Sequence, residues 1–220
     1  MSKIIEGPVR KVNLERLTNC CYAFVLVLLV KNIPIPTLQE YYEANETAYS
    51  YLVSIADRSV SEIFVYISAF LILAYFWVVM YHMFHQMKVV DRGFIFRHFI
   101  TLAMLVFIPV TSLLTDIYTH DPSIVGFMHV NVLFFGIFLM IEWRYASGKG
   151  GLLLDRISSE VKLRSTLIIL GVPFAAAIAL ILSWYDVPYT RAIYFIAIPV
   201  FALIYYFQNT RNKNEEGLNS

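Results

Sequence analysis

Six long stretches of this chain carry no charged side chain: 17–30, 63–87, 99–115, 122–141, 165–185 and 192–210. The last five each reach the length of a lipid-spanning segment, about 17–25 residues. In lipid a span must satisfy its own backbone hydrogen bonds, so these stretches predict helices. The composition agrees, since 59% of residues are hydrophobic and 15% are charged, where a soluble domain carries about 25%. The first stretch has only fourteen residues between Arg16 and Lys31. That length suits a buried core helix as well as a span.

Basic residues decide whether the first stretch crosses. Taking all six stretches as spans, fourteen of the 17 lysines and arginines fall on one side, leaving Lys31, Arg58 and Arg191 on the other. Five spans would destroy this alternation. The positive-inside rule then predicts an all-α membrane protein with six transmembrane helices and both termini cytoplasmic. The expected spans are 17–35, 61–84, 97–115, 122–142, 165–185 and 190–208, forming one domain over 1–210 with a polar cytoplasmic tail at 211–220. Tyrosines and tryptophans near the span ends fit an aromatic belt. Pro109, Pro173 and Pro199 read as kinks, which membrane helices tolerate.

Two connections exceed hairpin length. Residues 37–60 are expected outside, where Asn45-Glu46-Thr47 fits a glycosylation pattern. Residues 146–164 are expected in the cytoplasm. There Gly148, Gly150 and Gly151 break the helix, and 152–163 could form a short interfacial helix. The opening 16 residues do not read as a signal peptide. With a net charge of +1, the total carries no polyanion signature and no nucleic-acid partner is expected.

Few residues suggest chemistry. Cys20 and Cys21 are neighbours on a helix and point to different faces, so they read as small core residues rather than a disulfide. His82, His85 and His98 sit near span ends and read as headgroup-level side chains. A pair of histidines on different helices, drawn from these and His129, could instead hold a haem. His129 and Asn131 lie near mid-span, where a helix–helix hydrogen bond is the expected role. Glu142 and Arg144 are placed at an interface. Nothing resembles a proton-relay ladder or a catalytic set, so no enzyme, metal or cofactor is expected.

Two regions carry a resemblance. Residues 13–36 (NLERLTNCCYAFVLVLLVKNIPIP) place Leu14, Glu15, Leu17, Tyr22, Ala23, Phe24, Leu28, Leu29, Val30, Ile33 and Pro36 where the transmembrane protein 175 family places similar residues. In 76–92, Phe76, Trp77, Phe84, Val90, Asp91 and Arg92 do the same, followed by FIP at 107–109, DP at 121–122 and EWRYA at 142–146. The chain resembles the prokaryotic single-repeat members of this potassium channel family.

The resemblance implies a homotetramer in the cell membrane of a bacterium or archaeon. Potassium would pass along an axis lined by the first helix of each subunit, with no cofactor. Cys20, Ala23, Phe24, Val27 and Lys31 would form the pore stripe, with Phe24 and Val27 as apolar constrictions. Lys31 would face the outer mouth, pair with Glu40 or Glu43, or snorkel to headgroups. The family's pore-helix anchoring motif corresponds here to Asn13, Leu17, Thr18 and Asn19, with Trp77, Met80 and Tyr81 in the second span and Arg97 at the polar position of the third. The family's Arg-x-x-x-Phe-Ser-Asp and paired histidines are thus replaced together. This departure keeps a second reading open, that of a non-conducting scaffold or partner protein retaining the fold.

Overall fold

The computed structural model of the chain describes residues 10–31, 48–117, 121–148, 152–155, 157–185, 187, 190–200 and 203. The side chains of Lys31, Asp116, Ile117, Pro122 and, within 48–65, all but Ile63 lie outside the description. Five long helices are described: α1 (Lys11–Lys31), α2 (Ala48–Gln86), α3 (Arg92–Ile117), α4 (Pro122–Gly148) and α5 (Ser159–Trp184). A sixth, α6, is described over 192–200. The five long ones are long and apolar enough to cross a membrane.

Local sequence sets the helix starts. Asp91 caps α3 by accepting from Phe94 N–H at 2.8 Å. Asp121 caps α4 through Ser123 N–H at 2.9 Å, with Pro122 in the first helical position, where a missing N–H costs nothing. The Ser158 side chain caps α5. Residues 48–86 contain neither glycine nor proline. Accordingly α2 runs for 39 residues, about 58 Å, and starts well before the expected position 61. Its apolar span is Tyr66–Gln86. The first helix starts at Lys11, six residues before the uncharged run, and so reaches 21 residues.

The core is built from interlocking small and large side chains. Phe76 of α2 meets Phe135 of α4 edge-on at 4.3 Å between centroids. Gly136 of α4 lies so close to the Pro173 ring of α5 that a Cβ there would be 1.9 Å from Pro173 Cγ. Mid-span polar groups pair across helices. Asn131 Nδ2 donates to Thr111 Oγ1 at 3.2 Å, and His129 meets Tyr194 Oη and Thr190 Oγ1, each at 2.9 Å. The expected helix–helix role of His129 and Asn131 is therefore found.

One end of the bundle is tied by backbone. Of the interfacial helix expected for 152–163, residues 159–163 are helical as the start of α5, but the segment leading into it at 152–155 is not. It is extended, with an antiparallel bridge between Leu153 and Met87. Lys88 N–H donates to Leu152 O at 2.8 Å and Leu154 N–H to Gln86 O at 3.0 Å. Helix would leave the turn between α2 and α3 without these partners. Lys88 also pairs with Asp155 at 3.2 Å, and Lys11 at the start of α1 donates to Met87 O at 2.8 Å. Three separate connections thus meet at the Met87 turn.

Candidate functional site

The first helix has two unlike faces. Leu14, Thr18, Tyr22, Val25 and Leu29 recur at helical spacing and are all buried, on the side where α1 packs against α2 and α3. Cys20, Ala23, Phe24 and Val27 lie on the opposite, exposed side. Phe24 is 60% and Val27 66% exposed, comparable to Phe96 and Phe174 on the outer faces of other helices. The direction of Lys31, the residues Glu40 and Glu43, the pattern at Asn45–Thr47 and the tail 211–220 lie outside the described residues.

The buried face is held by a polar chain that crosses three helices. Thr18 Oγ1 is 2.7 Å from His98 Nε2 of α3. On its other side, His98 Nδ1 is 2.6 Å from Glu142 Oε1 of α4. Thr101 Oγ1 donates to Glu142 Oε2 at 2.8 Å. The Thr18 hydroxyl also donates to Leu14 O at 2.8 Å. A hydroxyl has one proton, so Thr18 donates either to Leu14 O or to His98 Nε2, according to the tautomer of the ring. Phe94 stacks on the ring at 5.9 Å and 11°, and Phe84 meets it edge-on at 5.2 Å.

This corrects two expectations. His98 is not a headgroup-level side chain and Glu142 is not interfacial: both side chains have 0% exposure. Each lies about one to two turns inside its helix end, and the facing helices cover it. Arg97, expected to join the anchor, turns away instead. It donates to Gly93 O at 2.7 Å, and its guanidinium sits 3.9 Å over the Tyr145 ring. The Tyr145 hydroxyl in turn donates to Asp91 at 2.9 Å.

The other motif positions divide between a groove and the surface. Trp77 Nε1 donates to Asn19 Oδ1 at 2.9 Å, and Trp77 stacks on Tyr81 at 5.8 Å and 26°. Met80 is buried beside them. Asn13 and Leu17 are exposed. A groove of about 320 Å³ opens where α1 and α2 diverge. Lys11, Glu15 and Asn19 form one wall, Trp77, Tyr81 and His85 the other. Met80, Phe84 and Thr18 complete the lining.

A haem would need free imidazole nitrogens. Both nitrogens of His98 and both of His129 are already engaged. Among the described residues no group of three or more His, Cys, Asp or Glu side chains could hold a metal ion. The Tyr22 hydroxyl, one turn beyond Thr18, is buried without a hydrogen-bond partner.

Comparison with known proteins finds a partial family match and a similar fold. Residues 13–109 match the family model described as endosomal/lysosomal potassium channel TMEM175. No curated protein matches the chain. Among solved structures, it is similar to a lysosomal potassium-selective channel TMEM175 homolog from Chamaesiphon minutus, with a TM-score of 0.73 and 20% identity over 88% of this chain and 96% of that one. The family match spans nearly all of α1, the whole of α2 and most of α3, the elements that build the Thr18–His98 contact and the groove. Residues 13–109, a little under half of the chain, thus resemble the TMEM175 family in sequence, and most of the chain shares the fold of that homolog.

Proposed function

We propose that the chain is a potassium channel subunit that works as a homotetramer in a prokaryotic cell membrane, with both termini cytoplasmic. The two-faced α1 carries this reading. Its buried stripe is locked to α3 through Thr18 and His98, while an apolar stripe with Phe24 and Val27 is presented outward. Four copies around an axis would turn these stripes inward, and rings of Phe24 and Val27 would gate by dewetting. The similar Chamaesiphon protein is described as a homolog of a lysosomal potassium-selective channel, which supports potassium as the permeant ion. The fourteen basic residues predicted on one side support the orientation.

The test is potassium flux into liposomes containing the purified protein, beside sodium flux. Potassium flux that rises in Phe24→Ala supports the proposal. A correctly assembled protein without flux, in which Phe24→Ala also gives none, would instead favour the non-conducting partner protein.

A further inference from the structure

The groove between α1 and α2 has a charge pattern that selects its occupant. Lys11 Nζ and Glu15 Oε1 stand 3.5 Å apart, one helical turn from each other. Lys11 is fixed by its bond to Met87 O, which leaves further ammonium donors for a ligand. An anion in the groove would meet Glu15, and a simple cation would meet Lys11. A zwitterion meets both charges with its own opposites.

The facing wall suits the ligand's cationic half. Trp77, Tyr81 and His85 recur every four residues along α2. Tyr81 stacks on Trp77 at 5.8 Å and on His85 at 6.3 Å and 12°. Trp77 is 41% and Tyr81 57% exposed, so ring surface remains open. An ammonium group is attracted to the face of such rings, and to tryptophan most strongly. Beneath them, Met80 and Phe84 give an apolar floor. The groove also sits at the polar end of the bundle, where α1 begins and α2 stops. That is the depth at which lipid headgroups meet a spanning helix.

We infer that this groove seats the headgroup of a zwitterionic phospholipid, with its ammonium between Glu15 and the Trp77 and Tyr81 rings and its phosphate on Lys11. The first methylenes of its chains run over Met80 and Phe84. The site concerns lipid rather than ion passage, so it stands or falls independently of conduction.

Tryptophan fluorescence tests it directly. Trp143 is buried and Trp184 is 85% exposed. The full chain carrying Trp184→Phe therefore leaves Trp77 as the tryptophan that lipid can reach. The protein is reconstituted in vesicles with brominated phosphatidylethanolamine or brominated phosphatidylglycerol at equal bromine content. We expect the ethanolamine lipid to show a relative association constant about two- to fivefold higher, the scale of one exposed ion pair. Glu15→Gln and Lys11→Met should each level that preference; Glu15→Gln leaves the Lys11–Met87 bond in place and so guards against loss of folding. Equal quenching by the two lipids, preference for phosphatidylglycerol, or a preference that survives both substitutions overturns the inference. So does absence of quenching, which would mean that another protein surface covers the groove.

Discussion

His98 Nδ1 and Glu142 Oε1 are 2.6 Å apart, and neither side chain is exposed at all. The pair joins α3 to α4, and through Thr18 it reaches the first helix. A buried carboxylate that loses its partner keeps its full desolvation cost. We therefore expect His98→Leu or Glu142→Leu alone to destabilise the protein by about 3–5 kcal/mol. The double change should cost clearly less than the two singles combined, because neither side chain is left buried without the other. Thermal unfolding of the four proteins in one detergent checks this as a double-mutant cycle.

Thr18 separates shape from hydrogen bonding. Thr18→Val keeps the volume but leaves His98 Nε2 without its partner. The expected loss is about 1–3 kcal/mol. Thr18→Ser retains the hydroxyl and should recover most of it. If valine and serine behave alike in thermal unfolding, the contact to His98 contributes little.

Tyr22 predicts the opposite sign. Its hydroxyl is buried with no partner, so Tyr22→Phe removes an unpaired polar atom and keeps the ring. Stability should stay level or rise by up to about 1 kcal/mol. A loss of melting temperature would show that the hydroxyl is bonded in the membrane.

Two glycines in α4 should respond differently. At Gly136 a methyl group would meet the Pro173 ring at 1.9 Å, and a proline ring cannot rotate away. Gly136→Ala should cost about 3 kcal/mol, at the upper end of overpacking losses, seen as lower yield of monodisperse protein. Gly148 has nothing within 4 Å of its would-be Cβ. Gly148→Ala should change stability by no more than about 0.5 kcal/mol.

Much of this architecture is legible in the sequence, because gaps between charges mark spans directly. The first helix, which charge alternation predicts to cross, is long and apolar enough to do so. Its apparent shortness came from Lys11, Glu15 and Arg16, which are helical but charged; Lys11 and Glu15 pair with each other along the helix. The anchor was harder to see. His98 and Glu142 are 44 positions apart, and closeness to a span end made both look interfacial. A usable signal was present: His98 and Thr101 share a face of α3 with buried Leu102 and Leu105, which marks that face as core. The extended strap at 152–155 left no such trace. Three consecutive leucines fit helix or strand equally, and only the distant Met87 turn decides between them.

The division of α1 into a locked face and an open one has a consequence for how such a chain can change over generations. Substitutions at Leu14, Thr18 or Val25 disturb packing and are filtered by folding itself. Substitutions at Cys20, Ala23, Phe24 or Val27 touch little within the subunit, so folding places almost no restraint on them. The outward chemistry of the helix can therefore drift or be reselected one residue at a time while the scaffold stays intact. Pronounced sequence novelty on that stripe is compatible with an unchanged bundle.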